Sequence, residues 1–478
     1  MRLESICILY KRSNNDARLL LFVSGERYGK WCKVSESLTH LEGVFGLTEA
    51  MNKLHRLSRT GGRRVWPDKY TDNMPPSRRH ILLARHLHQI QTVSERGVHA
   101  LKNMTAMDFS RTPFIVIWEV TQSCDLACLH CRANARICRD PLELTTCQGY
   151  GLIDDITEFG SPLLVLTGGD PLKREDLYDL IAYSVAKGLR TTVSPSVTPL
   201  LTNESIRKLK EAGISRIAVS LDGSTGEIHD SFRGVRGSHA RTLEVLSECG
   251  KDDIPIQVNT TVTRYNVDDF ENIANLISGF NPVLWSVFFL VPTGRGKVED
   301  TISPEEYEAV FERMYELSKI MPYDIKSTEA PHYRRYVTQA RVREKRSGKC
   351  PLEAAAETTR DAIGRAPRGI NDGKGFVFIS HRGEVYPSGF LPLSGGNVKN
   401  ESIVSIYRTS PLFTGIRDYD MLRGKCGVCE FRNICGGSRA RAYAVTGNYM
   451  ESEPYCVYIP GKYVPVESDE GKDRSPEI

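Results

Sequence analysis

Three cysteines in one short segment, Cys124-x3-Cys128-x2-Cys131, carry the sharpest chemical signal in this 478-residue chain. Three thiolates on one compact loop can hold three irons of a four-iron, four-sulfur cluster, leaving the fourth iron without a protein ligand. An open iron is a place where a small molecule can coordinate, so the absent fourth cysteine is itself informative. Zinc fits this spacing poorly, because structural zinc takes four ligands in two pairs. A second set, Cys426-x2-Cys429-x5-Cys435-x20-Cys456, offers four thiolates that close a site entirely with protein ligands, as a second cluster or as a structural zinc.

The other six of the 13 cysteines, Cys7, Cys32, Cys138, Cys147, Cys249 and Cys350, are scattered and read as small buried apolar side chains. An odd cysteine count, a large chain and seven thiols at short spacings favour ligation in a reducing compartment over a disulfide framework. No run of about 18 uncharged apolar residues and no apolar leader is visible, so a cytoplasmic protein with no membrane partner is expected. The net charge of +4 is uneven: residues 1–107 hold 18 Lys/Arg against 9 Asp/Glu, leaving 45 against 50 for the remainder.

These cysteines need elements to position them. From Phe114 onward, apolar β-branched runs alternate with helical periods, the signature of βα units around a parallel sheet. Strands are expected at Phe114–Val120, Leu163–Thr167, Arg190–Ser194, Arg216–Leu221, Ile256–Val262 and Leu284–Val291. Helices are expected near 146–159, 172–187, 203–212, 239–249, 267–278 and 304–320. The fold class is therefore α/β, a partial (βα)6 TIM-like barrel followed by a small Cys-rich domain. Parallel sheets place ligands at the C-terminal strand ends, so residues just after each strand matter most.

Five segments are expected. Residues 1–107 form a basic extension, read as disordered or as an artefact of the start site, since Met104 and Met107 directly precede the patterned region. A basic helix from Ser77 to His88 is conceivable there, with nucleic acid or acidic lipid as a contact. Residues 108–322 form the barrel, 323–375 an irregular basic linker, 376–465 the Cys-rich module with a hairpin at Phe376–Ile379 and Glu384–Tyr386, and 466–478 a charged tail.

The cysteine loop after the first strand resembles that of the radical S-adenosylmethionine (SAM) superfamily. The resemblance implies a catalytic four-iron cluster on Cys124, Cys128 and Cys131, with SAM chelating the open iron and cleaved reductively to a 5′-deoxyadenosyl radical. Thr167-Gly168-Gly169-Asp170-Pro171, after the second strand, is similar to the family's Gly-Gly-Glu-Pro motif with aspartate for glutamate. The resemblance assigns Gly168, Gly169 and Asp170 to the SAM ammonium. Ser220 and Asp222, after the fourth strand, either bind ribose or cap a turn. Arg233 either pairs with the SAM carboxylate or lies on a helix surface. Val291-Pro-Thr-Gly294-Arg295-Gly296 supports adenine or substrate, or is only a turn. No side chain beyond these is singled out as catalytic.

The Cys426–Cys456 set resembles the family's SPASM (twitch-like) extension, which carries auxiliary clusters. Where a full module has further cysteines, this chain has Ser388, Ser438 and Arg439, so the resemblance implies one auxiliary four-iron cluster. Cys435-Gly-Gly-Ser-Arg-Ala-Arg-Ala-Tyr together with Glu453-Pro-Tyr-Cys456 is most similar to the branch that tailors tetrapyrrole side chains, in heme d1 synthesis and siroheme-dependent heme synthesis. The basic, aromatic stretch Lys326 to Tyr336 would suit a polycarboxylate ring. Three functions stay open: tetrapyrrole tailoring, with ferredoxin or flavodoxin as electron donor; maturation of a ribosomally made peptide, which a three-strand, three-helix recognition domain would favour and for which residues 1–107 show no clear pattern; and non-catalytic metal or nucleic-acid binding.

Overall fold

A computed structural model of the chain describes residues 108–348 and 369–464 throughout, and three strands nearer the N-terminus. The chain divides into two compact units, Met1–His99 and Ala100–Ile478. In the first unit, β1 (Leu3–Ser13), β2 (Asp16–Gly25) and β3 (Cys32–Ser35) form an antiparallel sheet in that order. Two apolar stretches of the basic extension, Ile6–Tyr10 and Leu19–Val23, fall inside β1 and β2, whereas β3 spans only four residues and has no readable period. The Ser77–His88 segment lies outside the described residues.

The second unit opens with β4 (Ile115–Thr121) and then alternates: α1 (Thr146–Thr157), β5 (Leu163–Gly168), α2 (Leu177–Ala186), β6 (Arg190–Val193), α3 (Asn203–Glu211), β7 (Arg216–Ser220). Helices α4 (Gly226–Arg233) and α5 (Ser238–Lys251) precede β8 (Ile256–Val262), α6 (Phe270–Ser278), β9 (Leu284–Phe289) and α7 (Pro304–Ile320). Thr145, Thr202 and Ser303 each close a capping box at the start of α1, α3 and α7. All six expected strands are present. One face of the strands is apolar and packed in the core, with Val116, Trp118 and Val120 of β4 fully buried, while the opposite face carries polar residues such as Glu119 of β4 and Gln257, Asn259 and Thr261 of β8.

The stretch read as irregular after residue 323 holds β10 (Asp324–Thr328) and α8 (Tyr333–Arg346). They escape an apolar-period reading because β10 is Asp-Ile-Lys-Ser-Thr and the buried positions of α8 are Tyr333, Arg335 and Ala340. The expected hairpin is β11 (Phe376–Ile379) and β12 (Glu384–Tyr386), followed by β13 (Gly396–Asn397), α9 (Ile403–Thr409), α10 (Pro411–Arg417), α11 (Gly424–Val428) and α12 (Arg439–Thr446). One sheet runs β10-β9-β8-β7-β6-β5-β4-β11-β12-β13, parallel from β10 through to β11. The hairpin thus adds to the barrel sheet beside β4, with Val377, Ile379 and Val385 in the same core as Trp118 and Trp285.

Candidate active site

The segment after β4 turns back on itself through Cys124 N–H to Arg136 O (2.8 Å) and Gln122 Nε2–H to Ala133 O (2.6 Å). Three other elements grip it. Leu129 N–H donates to Phe232 O at the end of α4, and Gly234, at φ +69°, lies so close that a Cβ would meet Ala127 O at 2.7 Å. Arg295 N–H donates to Cys131 O, and a Cβ on Gly294, at φ +64°, would sit 2.3 Å from that oxygen. In the turn after β5, Gly169 and Asp170 donate their N–H groups to Thr121 O and Ser123 O. The loop Val291–Gly296 therefore clamps the cysteine loop.

Cys124, Cys128 and Cys131 line a cavity of about 210 Å³ at the C-terminal strand ends, with Gly168, Gly169, Ser220 and Arg233. Cys124 Sγ lies 3.4 Å from Ser196 Oγ, which in turn donates to Gly169 O, and burial pushes the Cys124 thiol up. Arg233 Nη1 donates to Cys128 Sγ at 3.6 Å, and Arg233 Nη2 pairs with Asp222 Oδ2. Burial opposes the Arg233 charge, but Asp222 and Cys128 outweigh it and hold the guanidinium charged.

Two expected ligand contacts are placed elsewhere. The Asp170 carboxylate does not line the cavity; it is buried, accepting from Thr198 Oγ1 (2.6 Å) and Leu172 N–H (3.2 Å), and burial raises its pKa. It fixes the turn that presents Gly168 and Gly169. Asp222 is likewise fully buried, accepting Thr261 N–H at 2.7 Å and anchoring Arg233, with burial raising its pKa. Sequence reasoning missed Ser194, Ser196, Asn259 and Thr261, which line the cavity; the signal for Ser194 and Ser196 was a polar side chain just past a strand, and for Asn259 and Thr261 a polar side chain alternating with apolar ones within β8.

It also missed Arg132, which lines the cavity directly after Cys131. Arg132 pairs with buried Glu119 at 2.6 Å, donates to Gly389 O and lies over the Phe378 ring, while His381 Nδ1 approaches the other Glu119 oxygen at 2.8 Å. Burial pushes Glu119 up, and Arg132 and His381 outweigh it and bring it below the usual range. The Lys326–Tyr336 stretch, by contrast, does not reach this cavity. Arg334 donates to Ile370 O and Ile434 O, and Arg335 pairs with Glu308, so their charge is used internally.

Cys426, Cys429, Cys435 and Cys456 together line a second, smaller cavity with His332, Arg335 and Lys425. Burial pushes Cys456 up to about 11 and Cys435 higher still, so thiolates here require a positive partner, which bound metal supplies. Among the described residues, no three His, Cys, Asp or Glu side chains converge closely enough to hold a single metal ion. Both cysteine sets are spread around their cavities. In donor type and spacing they suit a multi-iron cluster, the first with polar groups and an arginine beside an open side.

Ser388 and Ser438 meet on one carboxylate: Ser388 Oγ donates to Glu329 Oε1 (3.1 Å) and Ser438 Oγ to Glu329 Oε2 (2.7 Å). Glu329 directly follows β10 in a left-handed conformation, φ +58°. Burial, then the neighbouring Asp372 carboxylate, pushes its pKa up to about 8. Asp372 accepts the N–H groups of Arg439 and Ala440, and Arg441 pairs with buried Glu453 at 3.0 Å.

Residues 118–277 match the Radical SAM superfamily model. The chain is 39% identical over 353 residues to the AdoMet-dependent heme synthase of Methanosarcina barkeri, covering 74% of this chain and 99% of that protein. It is 41% identical to the enzyme of the same name from Nitratidesulfovibrio vulgaris, covering 76% and 96%. The crystal structure of Streptococcus suis SuiB bound to precursor peptide SuiA shares the fold at 14% identity, with a TM-score of 0.56 over 94% of this chain and 98% of that one. No helix among the described residues is long and apolar enough to cross a membrane. A cysteine loop clamped at the C-terminal ends of a parallel barrel, in a chain so similar to enzymes over nearly their whole length, places this protein in the radical SAM superfamily.

Proposed function

We propose that this chain tailors the carboxylate side chains of a tetrapyrrole by radical hydrogen abstraction. The observation that carries it is the joint presence, in one chain similar to heme synthases over nearly their full length, of the three-thiol cavity and the separate four-thiol cavity. Cys124, Cys128 and Cys131 would hold a four-iron cluster with an open iron, and Cys426, Cys429, Cys435 and Cys456 a second cluster. When bound, the first cluster and SAM supply a 5′-deoxyadenosyl radical, generated with an electron from ferredoxin or flavodoxin.

The chain's own residues then have separable tasks. Gly168 and Gly169 present backbone beside the thiols, Ser220, Asn259 and Thr261 supply polar contacts, and Arg233 holds positive charge against Cys128 for the carboxylate of SAM. Asp170 and Asp222 are positioning residues, fixing the glycine turn and the guanidinium. Arg132 lines the cavity with part of its side chain exposed, but its charge is met by Glu119 and it donates to Gly389 O, so its task is to hold the loop after Cys131 against the hairpin. The described cysteines are free thiols, which suits a reducing, cytoplasmic setting.

Anaerobically reconstituted protein is expected to hold about eight irons, about four from each cluster. Cys426→Ala should lower the count to about four, and Cys128→Ala should abolish dithionite-dependent formation of 5′-deoxyadenosine. Turnover of an iron-coproporphyrin-type substrate tests the tetrapyrrole assignment; inactivity toward it, with SAM cleavage intact, would reject it.

One observation favours a second reading, peptide maturation. Strands β1, β2 and β3 form a three-stranded antiparallel sheet, the strand count such a recognition domain would need, and the fold is like that of a peptide-bound enzyme along most of the chain. Deoxyadenosine production stimulated by a peptide, and not by a tetrapyrrole, selects it.

A further inference from the structure

His332 stands at the N-cap of α8 and is 1% exposed, yet neither ring nitrogen has a hydrogen-bond partner. Its ring stacks on Tyr307 at 5.4 Å between centroids and meets the edge of Phe311 at 4.8 Å. Phenylalanine would serve that packing without burying two polar atoms. A buried, unpaired imidazole calls for a partner that is part of the working protein. His332 lines the cavity formed by Cys426, Cys429, Cys435 and Cys456. Two cations share its walls: Arg335, whose Nε is also buried and unpartnered, and Lys425, which donates to Cys456 O at 2.6 Å. Metal-bound thiolates and sulfides are hydrogen-bond acceptors, and a neutral imidazole carries one N–H donor.

We infer that His332 donates a hydrogen bond to the cluster held by Cys426, Cys429, Cys435 and Cys456 and raises its reduction potential. The inference rests on the proposal that these cysteines carry a four-iron cluster. An N–H directed at a cluster sulfur stabilises the added electron more than the oxidised state, so the reduced form gains. Lys425 acts in the same sense through charge, whereas Arg335 is paired with Glu308, and Glu453 on the same wall is paired with Arg441. The four thiolates thus sit in a pocket that offers N–H donors and not in a purely apolar one.

The test uses the full chain carrying Cys124→Ala, Cys128→Ala and Cys131→Ala, so that only the second cluster binds iron. A count of about four irons confirms the cluster; an iron-free protein overturns that reading and this inference with it. With four irons bound, the reduced protein labelled with 15N-histidine is examined by pulsed electron paramagnetic resonance. A weak 15N coupling is expected, and its absence overturns the inference without touching the cluster assignment. Redox titration supplies the second readout. His332→Phe should shift the midpoint potential to more negative values, while His332→Gln, which keeps an N–H donor, should stay near the parent. A His332→Phe protein with full iron and an unchanged potential refutes the proposal; if that variant fails to fold, the labelling measurement on unsubstituted His332 decides.

Discussion

Replacing Glu329 by glutamine should make the protein less sensitive to pH. Glu329 titrates at about 8 in the folded chain, against an unperturbed value near 4.5, because burial and then Asp372 disfavour its charge. A carboxyl raised on folding binds its proton more tightly in the native state, so its contribution is fully present below the unfolded pKa and is lost as pH rises through the folded one. Between pH 5.5 and 7.5 the folded chain keeps this proton and the unfolded chain has released it, so stability falls by about 1.4 kcal/mol per pH unit, or about 2–3 kcal/mol over the interval. Glutamine retains the neutral shape between Ser388 and Ser438 and has no proton to lose. Thermal unfolding of reconstituted wild type and Glu329→Gln at the two pH values should therefore diverge, wild type losing roughly 3–5 °C more. Titrations away from Glu329 and its neighbour Asp372 are common to both proteins and cancel. Parallel curves would show that Glu329 is ionised in the folded state and refute the reasoning.

Arg132→Ala should cost about 3–5 kcal/mol, because it strips buried Glu119 of its cation and leaves only His381; denaturant unfolding measures it. Gly294→Ala drives a Cβ into Cys131 O in a left-handed backbone, and should lower iron at the first site while leaving about four irons at the second. Equal iron in that variant and wild type would mean the clamp is not needed for loading.

The six barrel strands were legible because parallel strands with a buried face read as β-branched runs, and the cysteine sets because their short spacings stand out in the sequence. Helix α4 was not, since its buried residues are only His229 and Phe232 in a short octapeptide whose other apolar side chain, Ile228, is not buried. Within α8 a buried arginine occupies a core position, which erases the period. For Asp170 and Asp222, position after a strand suggested ligand contact, yet both carboxylates turn inward to hold the groups that face the cavity; a side chain's direction is set by neighbours far along the chain. His332 and Glu329 were invisible for the same reason, each defined by partners from the Cys-rich segment. The replacement of cysteine by Ser388 and Ser438 was visible, whereas the carboxylate that joins them was not.

The clamp on the cysteine loop also orders the life of the newborn polypeptide. Cys124, Cys128 and Cys131 leave the ribosome well before Val291–Gly296 is synthesised, an interval on the order of ten seconds at ordinary elongation rates. Until that segment arrives, Cys131 O lacks the Arg295 N–H that fixes it, and the three thiols are exposed on an unfinished barrel, open to oxidation and to stray metals. The cysteine loop is therefore complete as a site only once the segment after β9 has been made, and the Gly294→Ala iron count tests whether loading waits for it.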